Sequence, residues 1–585
     1  VDKVFHPVYF LYYRLRFLQG ETVKRPPIYT LKDMISQSIR DFPERAALSM
    51  VDGEPISYSE LGALIGQVIS LLQDNGISKG DRVAILSQNL PHWGVAYLAI
   101  TSMGAVVVPI LTDFHDNEIL HIIRHSGSKA VFVSVQHYDK IGYGRLEPAP
   151  VMIDISSFNV IDPDIPTDRI SEFLQDRNRD WVKLRNKALQ AVGLINLKVQ
   201  EDDLAAIIYT SGTTGSSKGV MLSHKNLVLD AWLTLHIQHV DENDRLISVL
   251  PLSHTYECTL GFIIPMMCGA AVYYLDKPPT ARILIPAMQK IRPTMILTVP
   301  LIIEKIFKLQ IYPQLNANIV FRKLYKLPFA RKLLHQVAGK KLMHTFGGRL
   351  HFFGIGGALL SEEVERFLYE AGFPYAIGYG LTETSPLIAG CTPAVVKFRS
   401  TGTVLPQLEV RIDHPDPKTG IGEIQIKGET VMKGYFRDKE RTDQAYTPDG
   451  FFKTGDLGLL TKKNYLYIKG RCKNVIVGQT GENIYPEELE AKLNEHESVL
   501  ESMVYASGGQ IVGRVYLNAE ILEKQHDIGK ISAVQAEKII KKLLEDIRAQ
   551  VNANVSSFSK IHKLIQQVEP FEKTPTQKIK RFLYE

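Results

Sequence analysis

The sequence predicts an α/β protein built on parallel sheet, continued by a small antiparallel or barrel-like unit and closed by an α+β domain. Three observations lead there. From about residue 31, helical patterns alternate with short β-rich runs, the pattern of strands covered by crossover helices. After residue 400 the runs become short strands cut by Gly and Pro. The chain has 585 residues, 45% hydrophobic and 22% charged. That is too long for one core, and too ordinary for disorder, collagen or a disulfide-stapled scaffold.

Taken in order, residues 1–25 interleave Phe5, Tyr9, Phe10, Tyr12, Tyr13 and Phe17 with Arg14, Arg16, Lys24 and Arg25. Such a segment either lies on a membrane surface or packs as a helix on the body. A helix is expected over 58–74, then strands over 82–86, 105–110 and 130–134. Residues 83–112 contain no Asp, Glu, Lys or Arg. Pro91, Gly94, Gly104 and Pro109 break that run, so a buried strand–helix–strand unit fits better than a lipid span. Residues 305–349 hold ten Lys/Arg and no acid, interspersed with Phe321, Leu324, Leu327, Phe329, Leu333 and Leu334. They read either as a solvated basic face or as a surface for anionic lipid. Strands are expected over 409–412, 422–426 and 465–468. The closing domain, from about 472, has strands over 502–505 and 513–518 and helices over 486–495 and 533–551.

The net charge of +5 is weak for this size and does not indicate nucleic acid. Cys258, Cys268, Cys391 and Cys472 form no C-x-x-C pair. A reducing compartment is the simplest reading. No signal-peptide core is evident at the N-terminus, so a cytoplasmic location is expected, with peripheral contact at the inner face of the cell membrane.

The strongest chemical signal follows the apolar run 204–208. It is Tyr209-Thr210-Ser211-Gly212-Thr213-Thr214-Gly215-Ser216-Ser217-Lys218-Gly219-Val220. A loop of Gly, Ser and Thr offers amides and hydroxyls to an anion, and Lys218 adds a point charge. It does not match G-x-x-x-x-G-K-[ST], so the Walker reading fails. A plain Gly/Ser hairpin would not need the lysine.

This segment resembles the phosphate loop of the adenylate-forming superfamily, which includes acyl-CoA synthetases, luciferases and peptide-synthetase adenylation domains. Five further motifs resemble that family in its order: Pro251-Leu252-Ser253-His254, Gly378 to Thr384, Gly450 to Asp456, Gly470-Arg471-Cys472-Lys473 and Pro575-Thr576-Gln577-Lys578-Ile579. The resemblance implies a large N-terminal domain over 1–471, with two α/β sheets and a small β-barrel, and a mobile C-terminal domain over 472–585. It implies ATP, Mg²⁺ and CoA. Nucleotide binding then falls to Thr210, Ser211, Gly212, Thr213, Thr214, Gly215, Lys218, Gly356, Gly357, Ala358, Tyr379, Gly380, Thr382, Asp456 and Arg471. Catalysis falls to Lys578, Lys218, His254 and Glu383, metal contact to Thr210 and Glu383, and the hinge to Lys473. Each has a physical rationale: a Tyr379 ring can stack on a purine, Glu383 is a hard oxygen donor, and Asp456 can accept from ribose hydroxyls. A lone Asp before Leu-Gly would otherwise be a turn residue, and His254 a satisfied core histidine. Gln577 stands where the family usually has Gly.

The implied reaction joins a carboxylate to AMP and then to a thiol, with the C-terminal domain turning about Lys473 between steps. Residues 478–483 would then face the site. No Asp follows His254 in Thr255-Tyr256-Glu257-Cys258, which weakens an amino-acid substrate. Residues 260–275 are apolar and read as an alkyl tunnel or as ordinary core. With the basic segment and aromatic N-terminus, they resemble long-chain fatty acyl-CoA synthetases. The expected partners are a fatty acid, then CoA or an acyl carrier protein, with membrane contact through 1–25 and 305–349. A luciferase-like oxygenase and a silent nucleotide-binding scaffold are the other readings. The intact set Lys218, Glu383, Asp456 and Lys578 argues against silence.

Overall fold

The computed structural model describes residues 26, 28–141, 146–162, 198–210, 217–315, 318–478, 482–574 and 578–585. The aromatic N-terminal segment 1–25 and residues 479–481 therefore lie outside the described residues.

Two seven-stranded sheets dominate. One runs Tyr375–Ile377, Phe352–Ile355, Met295–Thr298, Arg245–Ser248, Ala271–Tyr274, Ala46–Met50 and Ile56–Ser57 across its width, parallel except for the last pair. The other runs Gly434–Tyr435, Lys218–Ser223, Leu204–Thr210, Val106–Ile110, Arg82–Leu86, Ser128–Val133 and Val151–Asp154. Its pairings are parallel from Leu204–Thr210 onward and antiparallel at the first two steps.

The largest core cluster joins the two sheets: Leu48 and Val272 from one, Val83, Ile85 and Val107 from the other. Between them lies the helix Pro91–Ser102, eleven of whose twelve residues are buried. A helix that is apolar all round belongs in such a place, which explains why residues 83–112 need no charge. The helix Tyr58–Asp74 has the expected bounds because Ser57 and Glu60 form a capping box at its start. Among the described residues, no helix is long and apolar enough to cross a membrane.

The third unit is barrel-like. A four-stranded antiparallel sheet (Glu409–Asp413, Gly422–Lys427, Phe452–Leu460, Leu466–Arg471) meets a three-stranded one (Tyr379–Gly380, Leu387–Gly390, Thr403–Val404) through a bridge between Thr403 and Tyr465. Ile388, Ile424, Ile426 and Leu466 close its small core. The C-terminal α+β unit packs the helices Pro486–Asn494 and Ala533–Asn552 on the strands Val499–Ser507, Gln510–Leu517 and Lys563–Gln567. Leu493, Val504, Val515 and Ile547 form its core.

Candidate active site

Lys218 is placed by a hairpin. The strands Leu204–Thr210 and Lys218–Ser223 are antiparallel, with Thr210 directly opposite Lys218. Lys218 therefore opens the second of two antiparallel neighbours in one sheet. Ser211, Gly212, Thr213, Thr214 and Gly215 lie outside the described residues. Lys218 Nζ donates to Tyr435 Oη at 3.1 Å and lies 4.5 Å from the centre of that ring. Tyr435 Oη in turn donates to Glu383 Oε1 at 3.0 Å. Lys218 and Glu383 are 3.9 Å apart, so the tyrosine spans a loose ion pair.

Glu383 sits on the short turn Thr382–Thr384, which follows the strand Tyr379–Gly380. Its carbonyl accepts from Met432 N at 2.8 Å. Gly380 is required here: a Cβ would stand 1.9 Å from the Pro386 carbonyl oxygen. Tyr379, just before it, donates its hydroxyl to Asp456 Oδ2 at 2.7 Å. Asp456 Oδ1 pairs with Arg471 Nε at 2.7 Å. The register of the antiparallel sheet explains the pair, since Asp456 and Arg471 are cross-strand partners. Burial pushes the Asp456 carboxyl up, and Arg471 and the Tyr379 hydroxyl oppose it. A carboxylate has room for further acceptor bonds beyond these two.

The segment Gly356-Gly357-Ala358 leaves the strand Phe352–Ile355. Gly356 lies against the Tyr256 ring, where a Cβ would come within 3.1 Å. Gly357 has φ +88° and, like Ala358, is exposed. His254 Nδ1 accepts from Tyr256 N at 3.2 Å. Burial first, and the charge of Lys578 second, hold the His254 imidazole down to about 4, so it is neutral at pH 7.

Lys578 arrives from the C-terminal unit. Its amide donates to Thr574 Oγ1 at 3.2 Å, and its carbonyl accepts from Thr574 N at 2.8 Å. Its ammonium is held below the usual lysine range by desolvation and then by Arg471, while Asp456 and Glu383 oppose this. The residue still has a solvent-exposed surface, so the crowding is that of an open cleft. Lys473 is likewise shifted down by desolvation, then by Arg471, Lys218, Arg581 and Lys578. The structure therefore brings Lys218, Glu383, Asp456, Tyr379, Arg471, His254 and Lys578 to one place.

Three cations around two carboxylates favour a polyanion. Among the described residues, no three His, Cys, Asp or Glu could cage a metal. Mg²⁺ suits such a site, because it is commonly held by one carboxylate together with substrate phosphates. Glu383 fits that donor set, and Thr210 stands opposite Lys218 in the adjoining sheet. Tyr435 belongs to none of the sequence motifs; it reaches the site because the two-residue strand Gly434–Tyr435 pairs with Met221 and Val220.

The apolar stretch after His254 is closed. Phe262, Ile263, Ile264 and Met266 are fully or nearly fully buried in the principal core, with Phe262 edge-on to both Trp93 and Tyr97.

Comparison with known proteins gives the following. The profile of the AMP-binding enzyme family matches residues 35–436. The 4-coumarate–CoA ligase CCL1 of Humulus lupulus is 27% identical, covering 95% of this chain and 94% of its own. A long-chain-fatty-acid–CoA ligase of Schizosaccharomyces pombe is 26% identical, covering 82% and 79%. The crystal structure of the ATP-bound RpMatB-BxBclM chimera B1 superposes with a TM-score of 0.73 at 25% identity, covering 95% of this chain and 98% of that one.

Proposed function

The chain belongs to the AMP-binding enzyme family, and from that premise we propose that it activates a long-chain fatty acid as acyl-AMP and passes the acyl group to CoA. One observation carries the reading: Lys218, Glu383, Asp456, Arg471 and Lys578, drawn from hairpin, turn, barrel-like unit and C-terminal tail, converge on a single cleft.

In the first half-reaction a carboxylate oxygen attacks the α-phosphorus of ATP, and the bond to pyrophosphate breaks. Lys218, Arg471 and Lys578 stabilise the charge that builds on the transferring phosphoryl group. Asp456 takes the ribose hydroxyls, with Tyr379 beside it for the purine. Glu383 and Thr210 are the residues that would hold Mg²⁺, which would neutralise charge at the phosphates when bound. In the second half-reaction a thiol sulfur attacks the acyl carbonyl, AMP leaves, and the thiol proton passes to solvent. Neutral His254 is a positioning group at that carbonyl and carries no charge of its own. The unit from 472 turns about Lys473 between the steps, withdrawing Lys578.

The fatty-acid assignment is supported by the lack of an Asp after His254 to hold an amine; the one acid there, Glu257, is buried against Ser248. Similarity does not choose the acid, since the aromatic-acid and fatty-acid ligases are equally distant. Pyrophosphate exchange across a panel of carboxylic acids, followed by CoA or acyl carrier protein as acceptor, tests this. Exchange stimulated by long-chain acids and release of acyl-CoA are expected. Stimulation by 4-coumarate alone removes the fatty acid, and transfer only to the carrier protein removes CoA.

A further inference from the structure

The basic segment forms two helices, Ile319–Tyr325 and Pro328–Thr345. The second has two apolar stripes. One is His335, Gly339, Leu342 and Met343, all buried. It is fixed to the helix Glu362–Ala371: Gly339 lies so close to Ala371 that a Cβ would stand 2.7 Å from that methyl. Arg331 makes two bonds to Glu370, at 2.7 and 3.0 Å, and the His335 ring stands 2.9 Å from the same carboxylate. The other stripe is Phe329, Leu333 and Val337, at i, i+4 and i+8, with exposures of 76%, 48% and 69%. It continues over the corner through Leu327, Leu324, Val320 and Ile319, each also exposed.

Of the nineteen large apolar side chains exposed among the described residues, eight fall between 319 and 337. That concentration is a surface awaiting an apolar neighbour, not scattered surface leucines. Arg322, Lys323, Lys326, Lys332 and Lys340 stand among them, and residues 305–349 contain no Asp or Glu. A second copy of this chain would set like charge against like charge across the contact. An anionic bilayer satisfies both demands: the apolar tips enter the acyl boundary, while the lysine and arginine stems lie along it and leave their heads at the phosphates.

We propose that the corner formed by these two helices is a docking face for anionic membrane, with Leu327, Phe329, Leu333 and Val337 entering the lipid and Lys323, Lys326 and Lys332 meeting its headgroups. Arg331 is excluded, because its guanidinium is spent on Glu370 and holds the platform to the body. The face is independent of which acid the protein activates.

Flotation of the full chain with vesicles of phosphatidylcholine, alone or with one-third phosphatidylglycerol, tests this. Binding is expected only with the anionic lipid, and to fall at high salt. Leu327→Ser/Phe329→Ser/Val337→Ser and, separately, Lys323→Glu/Lys326→Glu/Lys332→Glu should each lower the bound fraction about tenfold or more, with circular dichroism and the thermal midpoint unchanged as the check on folding. Phe329→Trp should blue-shift its emission on anionic vesicles. Equal flotation of wild type and both triple variants overturns the proposal, as does a wild type that does not float. A concentration-dependent dimer by sedimentation that the serine changes dissolve would replace lipid by a second copy.

Discussion

Tyr435 holds together two residues that separate motifs point to. Its hydroxyl accepts from Lys218 and donates to Glu383, so each end of the relay is charged and the middle is neutral. Hydrogen bonds to charged groups contribute about 1.5–3 kcal/mol each, and burial keeps the phenol protonated by raising its pKa, with Glu383 adding to the effect. Tyr435→Phe keeps the ring beneath Lys218 and removes only the hydroxyl. Lys218 and Glu383, already 3.9 Å apart, would then close on each other and leave the phosphate side. A roughly tenfold loss in kcat/KM for ATP in pyrophosphate exchange is expected, about 1.4 kcal/mol. Unchanged exchange would reduce Tyr435 to packing.

At the scale of elements, the turn after His254 carries an acid where a core would have none. Glu257 opens the π-type turn Glu257–Ile263 and is 2% exposed. Its Oε1 accepts from Ser248 Oγ at 2.6 Å. Burial pushes its carboxyl up to about 8, so the folded protein keeps it protonated at neutral pH while the unfolded chain ionises it. The unfolded state binds fewer protons between the two pKa values, so this group lowers stability as pH rises from about 4.5 to about 8. Glu257→Gln keeps the bond to Ser248 and removes the titration. The variant should gain stability over wild type that grows from pH 5 to pH 8, at most ~3 kcal/mol at pH 7. A difference in Tm that is flat across that range would count against it. Elements of this kind also mark the limit of sequence reading. The helix Tyr58–Asp74 and the strand Arg82–Leu86 were legible because capping and hydrophobic period are local. So were Lys218, Glu383 and Asp456, whose motifs are contiguous. Tyr435, Glu257 and the second stripe on Pro328–Thr345 were not, because their meaning comes from partners far along the chain: Glu383 for the first, the principal core for the second, and for the third the helix Glu362–Ala371, which takes up one stripe and leaves the other bare.

For the molecule as a whole, the question is what keeps the C-terminal unit where Lys578 can reach the cleft. Besides the tail itself, one strut comes from the basic segment. Lys308 Nζ donates to the carbonyls of Asn494 and of Val499, the latter at 3.2 Å. Desolvation lowers its pKa, and Glu304, Glu363 and Glu495 oppose that. Lys469 adds a second tie to Glu488 at 3.0 Å, but that pair is half-exposed and contributes little. Lys308 is the stronger strut because it serves two carbonyls at a desolvated junction, where leaving acceptors unmet costs about 1–3 kcal/mol. If the unit from 472 must leave this position for thiol attack, loosening the strut acts on one half-reaction only. Lys308→Met should slow pyrophosphate exchange about tenfold and leave thioester formation from supplied acyl-AMP unslowed. Lys578→Ala, the reference, should abolish exchange while sparing the second step. Rapid-mix measurement of both half-reactions decides between strut and scaffold: loss by the same factor in each would mean that Lys308 merely supports the fold and that Lys578 is not carried between two positions.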